Sequence, residues 1–111
     1  DVQSTPELRQ YGIVAMVNGS PQAAAYTGIS TDSYKNHIIG DNYAIQGNIL
    51  LGQEVLDSIE SRFLNTSGDL TCKLMAALQG ANMVGADTRC ISNGTSSLFA
   101  IQVQIDSRRS R

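Results

Sequence analysis

Residues 43–64, YAIQGNILLGQEVLDSIESRFL, predict the junction between a sheet and a helical layer. The first six residues, YAIQGN, are typical of a short strand that ends at Gly47 and Asn48. The next segment predicts an amphipathic helix beginning at Gly52 or Gln53, because apolar residues recur at helical spacing on one face. Those apolar residues are Val55, Leu56, Ile59 and Phe63. Asn48 is therefore expected at a corner, where its amide either ties the turn or takes part in chemistry.

The segments before this junction predict two further strands. Residues 11–17, YGIVAMV, are apolar on both alternating faces, which is typical of a strand covered on both sides. The Asn-Gly pair at residues 18–19 is a strong hairpin signal, and residues 22–28, QAAAYTG, are then the return strand. Residues 29–42 are rich in Asp, Asn and Gly, and they are predicted to form a polar loop.

The segments after the junction predict a second helix and a last strand. Residues 70–81, LTCKLMAALQGA, repeat leucines at helical spacing, with Asp69 or Ser67 as the N-terminal cap. A glycine-rich loop follows this helix. Residues 97–105, SLFAIQVQI, alternate in polarity and predict a strand.

The resulting order, β-β-β-α-α-β, indicates an α/β layered fold in which an αα-hairpin covers an antiparallel sheet. The chain has 111 residues, of which 41% are hydrophobic and 16% are charged, so we predict one globular domain. This domain spans residues 1–105 and is followed by a basic tail, residues 106–111. Strands that are apolar on both faces need a second cover, which we expect from a partner sheet or from a missing N-terminal part of the fold.

Composition and residue spacing exclude several classes of protein. The net charge of −2 and the pI near 5.1 argue against a nucleic-acid-binding protein. No apolar run approaches the ~20 residues that a membrane-spanning helix needs. The two cysteines and the single histidine fit no usual zinc-site spacing, so no metal and no cofactor are predicted.

Cys72 and Cys90 are either two buried thiols or one disulfide, and we favour the disulfide. The chain after the second helix is long enough to fold back along that helix and bring Cys90 to Cys72. A disulfide implies an oxidising compartment, so we predict an extracellular or periplasmic location. Asn18, Asn65 and Asn93 begin glycosylation sequons, which matter only if a eukaryote secretes the chain. In a bacterium they are accidents of Asn-rich turns.

Several separated motifs occur in an order that resembles the domain-of-unknown-function 1028 family. They are a Thr-Gly after a strand, an aromatic-x-Ile-Gln-Gly-Asn-x-Leu corner, two helices, and a Gly-Ala-Asp-x-Arg loop. The motif positions are occupied by Thr27, Gly28, Tyr43, Ile45, Gln46, Gly47, Asn48, Leu50, Gly85, Ala86, Asp87 and Arg89. The resemblance extends to about residue 103. It implies an Ntn-hydrolase-like fold, with two antiparallel sheets between helical layers.

The resemblance also implies an activity, the hydrolysis of a small amide or peptide bond. Ntn chemistry uses an amino-terminal Thr, Ser or Cys, whose side chain attacks while its free amine acts as the base. Asp1 cannot take this role, and family members usually carry a further N-terminal segment. We therefore expect a companion N-terminal segment or a homo-oligomer to complete the fold. The alternative is a non-catalytic binding or structural module of the cell envelope.

The resemblance points to two groups of site residues. Asn48 is a candidate oxyanion donor, although it could equally cap the following helix. Asp87 and Arg89 could orient an amide substrate, or they could form an ion pair that fixes their loop. We expect Asn48 to be largely buried and to face the same end of the sheet as Asp87 and Arg89. The substrate-binding candidates are Thr27, His37 and Gly47, although a solvated loop histidine is the simpler reading of His37.

Overall fold

The computed structural model describes residues 5–97, which form a mixed α/β structure with four strands and two main helices. The elements are β1 (Gln10–Val17), β2 (Ser20–Thr27), β3 (Tyr34–Ile39), β4 (Ala44–Leu50), α1 (Gln53–Asn65) and α2 (Leu70–Gly80). Two short 3-10 segments, Pro6–Leu8 and Thr88–Asn93, precede β1 and follow α2. The strand predicted for residues 97–105 and the tail 106–111 lie outside the described residues, except for Ser97.

The first hairpin forms as the sequence predicts. β1 and β2 pair in antiparallel register from Gln10–Thr27 to Val17–Ser20. The two residues between the strands, Asn18 and Gly19, have φ angles of 50° and 80°. Both are therefore left-handed, as a two-residue turn that matches the strand twist requires. Asparagine and glycine adopt this conformation at low cost, so the local sequence determines the hairpin.

The second hairpin corrects the prediction of a polar loop over residues 29–42. Within that segment Tyr34–Ile39 forms β3, which pairs antiparallel with β4. β3 carries Lys35, Asn36 and His37 in succession, so its own sequence lacks the apolar alternation that signals a strand. Its strand conformation comes instead from backbone hydrogen bonds to β4, which is also longer than predicted and continues to Leu50.

The two hairpins stack face to face, and the helices pack on one of them. β1 lies against β4, β2 lies against β3, α1 contacts β3 and β4, and α2 packs on α1. The hairpins approach closely at Gly12, where a Cβ atom would overlap the side-chain carboxamide of Gln46. The second hairpin is therefore the middle layer between the first hairpin and the helix pair.

The best-buried side chains lie between the helices and the loop that follows them. Val55 and Leu56 of α1 are 2% and 1% exposed, in agreement with the apolar face predicted for that helix. Within residues 5–97, Ala77, Ala86 and Cys90 are the other buried apolar residues. α2 begins at the cap Asp69, whose carboxylate accepts a hydrogen bond of 2.9 Å from the backbone N–H of Cys72. Hydrogen bonds from this helix turn lower the pKa of Asp69.

The disulfide expected between Cys72 and Cys90 is not formed. Cys72 is an exposed free thiol at the start of α2, where a hydrogen bond to Asp69 raises its pKa. Cys90 is a free thiol with no exposed surface. The prediction failed because the chain after α2 does not run back along that helix. It pairs with the end of β4 instead, where Leu51 N–H donates 3.1 Å to the carbonyl of Ala86.

None of the helices within residues 5–97 is both long and apolar enough to cross a membrane.

Candidate functional site

A carboxamide on β1 links all four strands where the two hairpins meet. The side-chain N–H₂ of Gln10 donates to Thr27 Oγ1 at 3.0 Å, to the carbonyl of Gly47 at 3.0 Å and to the carbonyl of Asn36 at 3.3 Å. Gln10 Oε1 accepts a hydrogen bond of 2.7 Å from Asn48 Nδ2. One side chain thus connects β1 with β2, β3 and β4.

Thr27 also pairs with the only histidine of the chain. Its Oγ1 lies 2.9 Å from Nδ1 of His37, and both residues are half-buried. Two backbone carbonyls accept from the nitrogen of Gln10, so this nitrogen rather than the oxygen faces Thr27. Thr27 Oγ1 therefore accepts from Gln10, and with respect to His37 Nδ1 it either donates its own hydrogen or accepts one, according to the tautomer of His37. When a neutral His37 carries its hydrogen on Nε2, Thr27 is the donor and Nδ1 the acceptor. We call Gln10, Thr27, His37 and Asn48 the inter-sheet cluster.

Asn48 occupies a different environment from the predicted corner. It lies within β4 and is exposed rather than buried, and α1 begins after Gly52 without a side-chain cap. The register of β3 and β4 shifts here, so that Asn48 and Ile49 together face Lys35. This is a β-bulge, in which the extra residue turns the strand. Asn48 therefore ties the two hairpins together through Gln10 and does not cap the helix.

The residue after Asn48 has an unusual backbone conformation. Ile49 has a φ of 56°, in the left-handed region that β-branched residues rarely adopt. Its N–H donates 3.0 Å to the carbonyl of Asp32, and its carbonyl accepts 3.3 Å from Thr88 Oγ1. Contacts from two separate loops thus hold the bulge in place. Strained residues of this kind tend to occur at functional sites.

Asp87 and Arg89 form a two-point ion pair within their own loop. Arg89 Nη2 lies 2.7 Å from Asp87 Oδ2, and Arg89 Nε lies 2.9 Å from Oδ1. Asp87 Oδ1 also accepts 3.0 Å from the backbone N–H of Arg89 and so caps the 3-10 segment Thr88–Asn93. The hydrogen bonds from Arg89 lower the pKa of Asp87. The side chain of Asp87 is 14% exposed, and that of Arg89 is 48% exposed.

The family model of the Family of unknown function (DUF1028) matches residues 1–109. The chain belongs to this family. No curated protein and no solved structure shows significant similarity to it. The match confirms the family suggested by the motifs. The family description names no activity.

In this DUF1028 chain Asn48 belongs to the inter-sheet cluster and also lines a groove. The groove has a volume of about 720 Å³ and is lined by Asn48, by Asp87 and by apolar side chains of the helices such as Leu56. Leu50 and Asp87 form an isolated β-bridge at its end. The structure thus brings Asn48 and Asp87 to one groove, while Arg89 lies outside the groove lining.

The predicted substrate-binding residues fall together in the cluster. Thr27 and His37 hydrogen-bond each other, and Gly47 contributes its carbonyl to Gln10. The sequence analysis missed Gln10, which joins them. A lone glutamine at the start of a strand carries no local signal, because its partners are 17 to 38 residues away. Within residues 5–97, no group of three or more His, Cys, Asp or Glu side chains could hold a metal ion.

Proposed function

We propose that the inter-sheet cluster binds a small amide- or peptide-like ligand and that it is part of a site hydrolysing an amide bond. The observation that carries this proposal is the 2.9 Å contact between the Thr27 hydroxyl and the His37 imidazole. A hydroxyl within hydrogen-bond reach of a base is the arrangement that acyl transfer needs. The carboxamide of Gln10 connects this pair to Asn48, whose amide can donate to a carbonyl oxygen.

The unused polar groups of the cluster complement an amide. Within residues 5–97, His37 Nε2, Asn48 Oδ1 and the second hydrogen on Asn48 Nδ2 have no hydrogen-bond partner. With the His37 hydrogen on Nε2 they offer two donors and one acceptor, and a carboxamide supplies the matching acceptor and donors. When His37 is neutral, no member of the cluster carries a charge. We therefore expect an uncharged ligand to bind better than a carboxylate.

The layered architecture supports an Ntn-hydrolase-like assignment. Two antiparallel hairpins are stacked, and a helix pair covers one of them. The first hairpin leaves Ile13, Val14 and Met16 between 49% and 68% exposed within the described residues. Apolar side chains in such number favour a covering layer, which we propose to be a companion N-terminal segment or a second copy. A location outside the cytoplasm stays a prediction.

A second candidate function is a non-catalytic binding module. This candidate is supported because the polar groups of the site already hydrogen-bond to one another. Both carboxylate oxygens of Asp87 accept hydrogen bonds from Arg89, and Thr27 Oγ1 is shared by Gln10 and His37. Such a network stabilises the junction of the two hairpins whether or not chemistry follows.

Nuclear magnetic resonance titration separates these outcomes. Acetamide is the probe, and acetate is the charged control. We expect acetamide to shift the side-chain amide signals of Gln10 and Asn48, and we expect acetate to shift them less. Asn48→Ala should weaken acetamide binding, whereas Asn93→Ala, an exposed position in the 3-10 segment, should not. If acetamide leaves the cluster signals unchanged, both candidate functions are wrong.

Turnover is measured with acyl-p-nitroanilides, which release a coloured amine when the amide bond is cleaved. Release that is lost in Thr27→Val supports the hydrolase. Acetamide binding without any release supports the binding module. The melting curves of the parent protein and of Thr27→Val are compared, so that loss of folding is not mistaken for loss of activity.

A further inference from the structure

We propose that Thr27 is the attacking nucleophile of this site and that His37 Nδ1 is its general base. This inference rests on the proposed function and deepens it. It replaces the amino-terminal nucleophile implied by the family resemblance with a hydroxyl inside the chain. It also predicts a covalent acyl-threonine intermediate, which a binding module would not form.

The Thr27 hydroxyl has an acceptor for its hydrogen in His37 Nδ1 when the imidazole hydrogen is on Nε2. The Gln10 carboxamide donates to Oγ1 at 3.0 Å, and the Gln10 nitrogen is held in that orientation by two backbone carbonyls. In that tautomer the hydroxyl hydrogen is directed to His37 Nδ1, 2.9 Å away. This separation lies within the range for proton transfer to a general base.

The backbone on both sides of Thr27 is held firmly. Thr27 pairs with Gln10 in the β1–β2 ladder, and the N–H of Gly28 donates 2.8 Å to the carbonyl of Arg9. A Cβ at residue 28 would overlap the backbone carbonyl of Glu7, so glycine is needed for this close approach. Thr27 is β-branched and has few χ1 rotamers. The hydroxyl is thus positioned before a ligand arrives, as efficient attack requires.

Other nucleophiles within residues 5–97 lack this arrangement. Cys72 is exposed, but Asp69 raises the pKa of its thiol and no histidine is beside it. Cys90 has no exposed surface. The hydroxyls of Thr31 and Thr88 donate to backbone carbonyls. Because the chain has one histidine, Thr27 is the hydroxyl that this base serves.

The reaction balances with these groups and water. Thr27 Oγ1 attacks the carbonyl carbon of the amide while its proton passes to His37 Nδ1. The C–N bond then breaks, the amine leaves with the proton from His37, and an acyl-threonine ester remains. A water molecule gives a proton to His37 and its oxygen attacks the ester. The carboxylic acid departs as Thr27 recovers its proton from His37. In both steps the amide of Asn48 is the candidate donor to the developing oxyanion.

The test uses p-nitrophenyl acetate, an activated ester that traps such a nucleophile as its acetyl ester. Intact mass spectrometry measures the labelling rate, and peptide mapping locates the acetyl group. We expect a single acetyl group on Thr27. Thr27→Ser should retain labelling and Thr27→Val should lose it. His37→Gln should slow it by about a hundredfold or more.

Thr71→Val is the matched control, because Thr71 is exposed on the first turn of α2 and should label as the parent protein does. Thr27→Val must also keep the parent melting curve, so that its loss of labelling is not a loss of folding. Acetyl groups found on other residues, or labelling unaffected by His37→Gln, would overturn the inference. If acetamide binds and Thr27 is never acetylated, the nucleophile is wrong while the proposed ligand class stands. If Thr27 is acetylated and acetamide does not bind, the nucleophile is right and the proposed ligand class is wrong.

Discussion

Replacing Gly80 by alanine should push the two helices apart. Gly80 is buried at the end of α2, where it faces the backbone of α1. A Cβ atom built there lies 2.6 Å from the carbonyl oxygen of Ser58 and 3.0 Å from Cα of Ile59. Both are backbone atoms, so no side-chain rotation can relieve the overlap.

Two opposing effects decide how far Gly80→Ala changes the free energy of unfolding. Overpacking a tight interior contact costs about 1–3 kcal/mol, and a rigid backbone neighbour puts Gly80→Ala near the upper end. Alanine has a higher helix propensity than glycine, and this difference stabilises the variant by at most about 1 kcal/mol. We therefore expect a net loss of about 2 kcal/mol in the free energy of unfolding. For a domain of this size the melting temperature then falls by about 10 °C.

Urea denaturation followed by circular dichroism gives the free energy, and a thermal scan gives the melting temperature. Gln79→Ala is the control, because Gln79 is exposed on the same helical turn and its replacement should stay within about 0.5 kcal/mol of the parent. A Gly80→Ala protein as stable as the parent would show that helix propensity outweighs the contact. The close approach of α2 to Ser58 would then be wrong.

Three further predictions concern the core, the bulge and the ion pair. Leu56→Ala should cost about 3 kcal/mol in a urea titration, because the side chain is 1% exposed, whereas Leu64→Ala, at 56% exposure on the same helix, should cost about 1 kcal/mol or less. Ile49→Gly should be more stable than Ile49→Ala by about 1 kcal/mol in the same titration, reversing the usual order in strands, because only glycine adopts a positive φ without strain. Arg89 lowers the pKa of Asp87, so the carboxylate stabilises the fold above about pH 4 and this contribution is lost as the pH falls further. Arg89→Ala should therefore reduce the fall in melting temperature between about pH 5 and pH 2, and an unchanged pH dependence would show that the pair contributes nothing to stability.

Local signals were sufficient for the first hairpin and for both helices. Asn18 and Gly19 adopt positive φ angles that few other residue pairs tolerate, so the turn follows from two adjacent residues. The apolar spacing of α1 predicted the buried pair Val55 and Leu56. Asp69 caps α2 because its carboxylate reaches an N–H three residues ahead. Each of these interactions spans at most a few residues of chain.

The candidate site was predicted only in part. The family motifs pointed to Thr27, His37 and Asn48, and the structure brings all three together. The motifs contained no signal for Gln10, because its role depends on partners from other strands. They also implied a buried Asn48, whereas the bulge at Ile49 leaves it exposed.

The sequence by itself determined the elements that short-range hydrogen bonds and helical periodicity can specify: the Asn-Gly turn, the two helices and the cap of α2. Only the tertiary structure decided that Tyr34–Ile39 is a strand, because its polar sequence is held by pairing with β4. The same holds for the path of the loop after α2, which joins the end of β4 and leaves Cys72 and Cys90 unpaired. The inter-sheet cluster also belongs to this second group. Its hydrogen bonds join residues 10 to 38 positions apart, and such contacts exist only after the two hairpins have stacked.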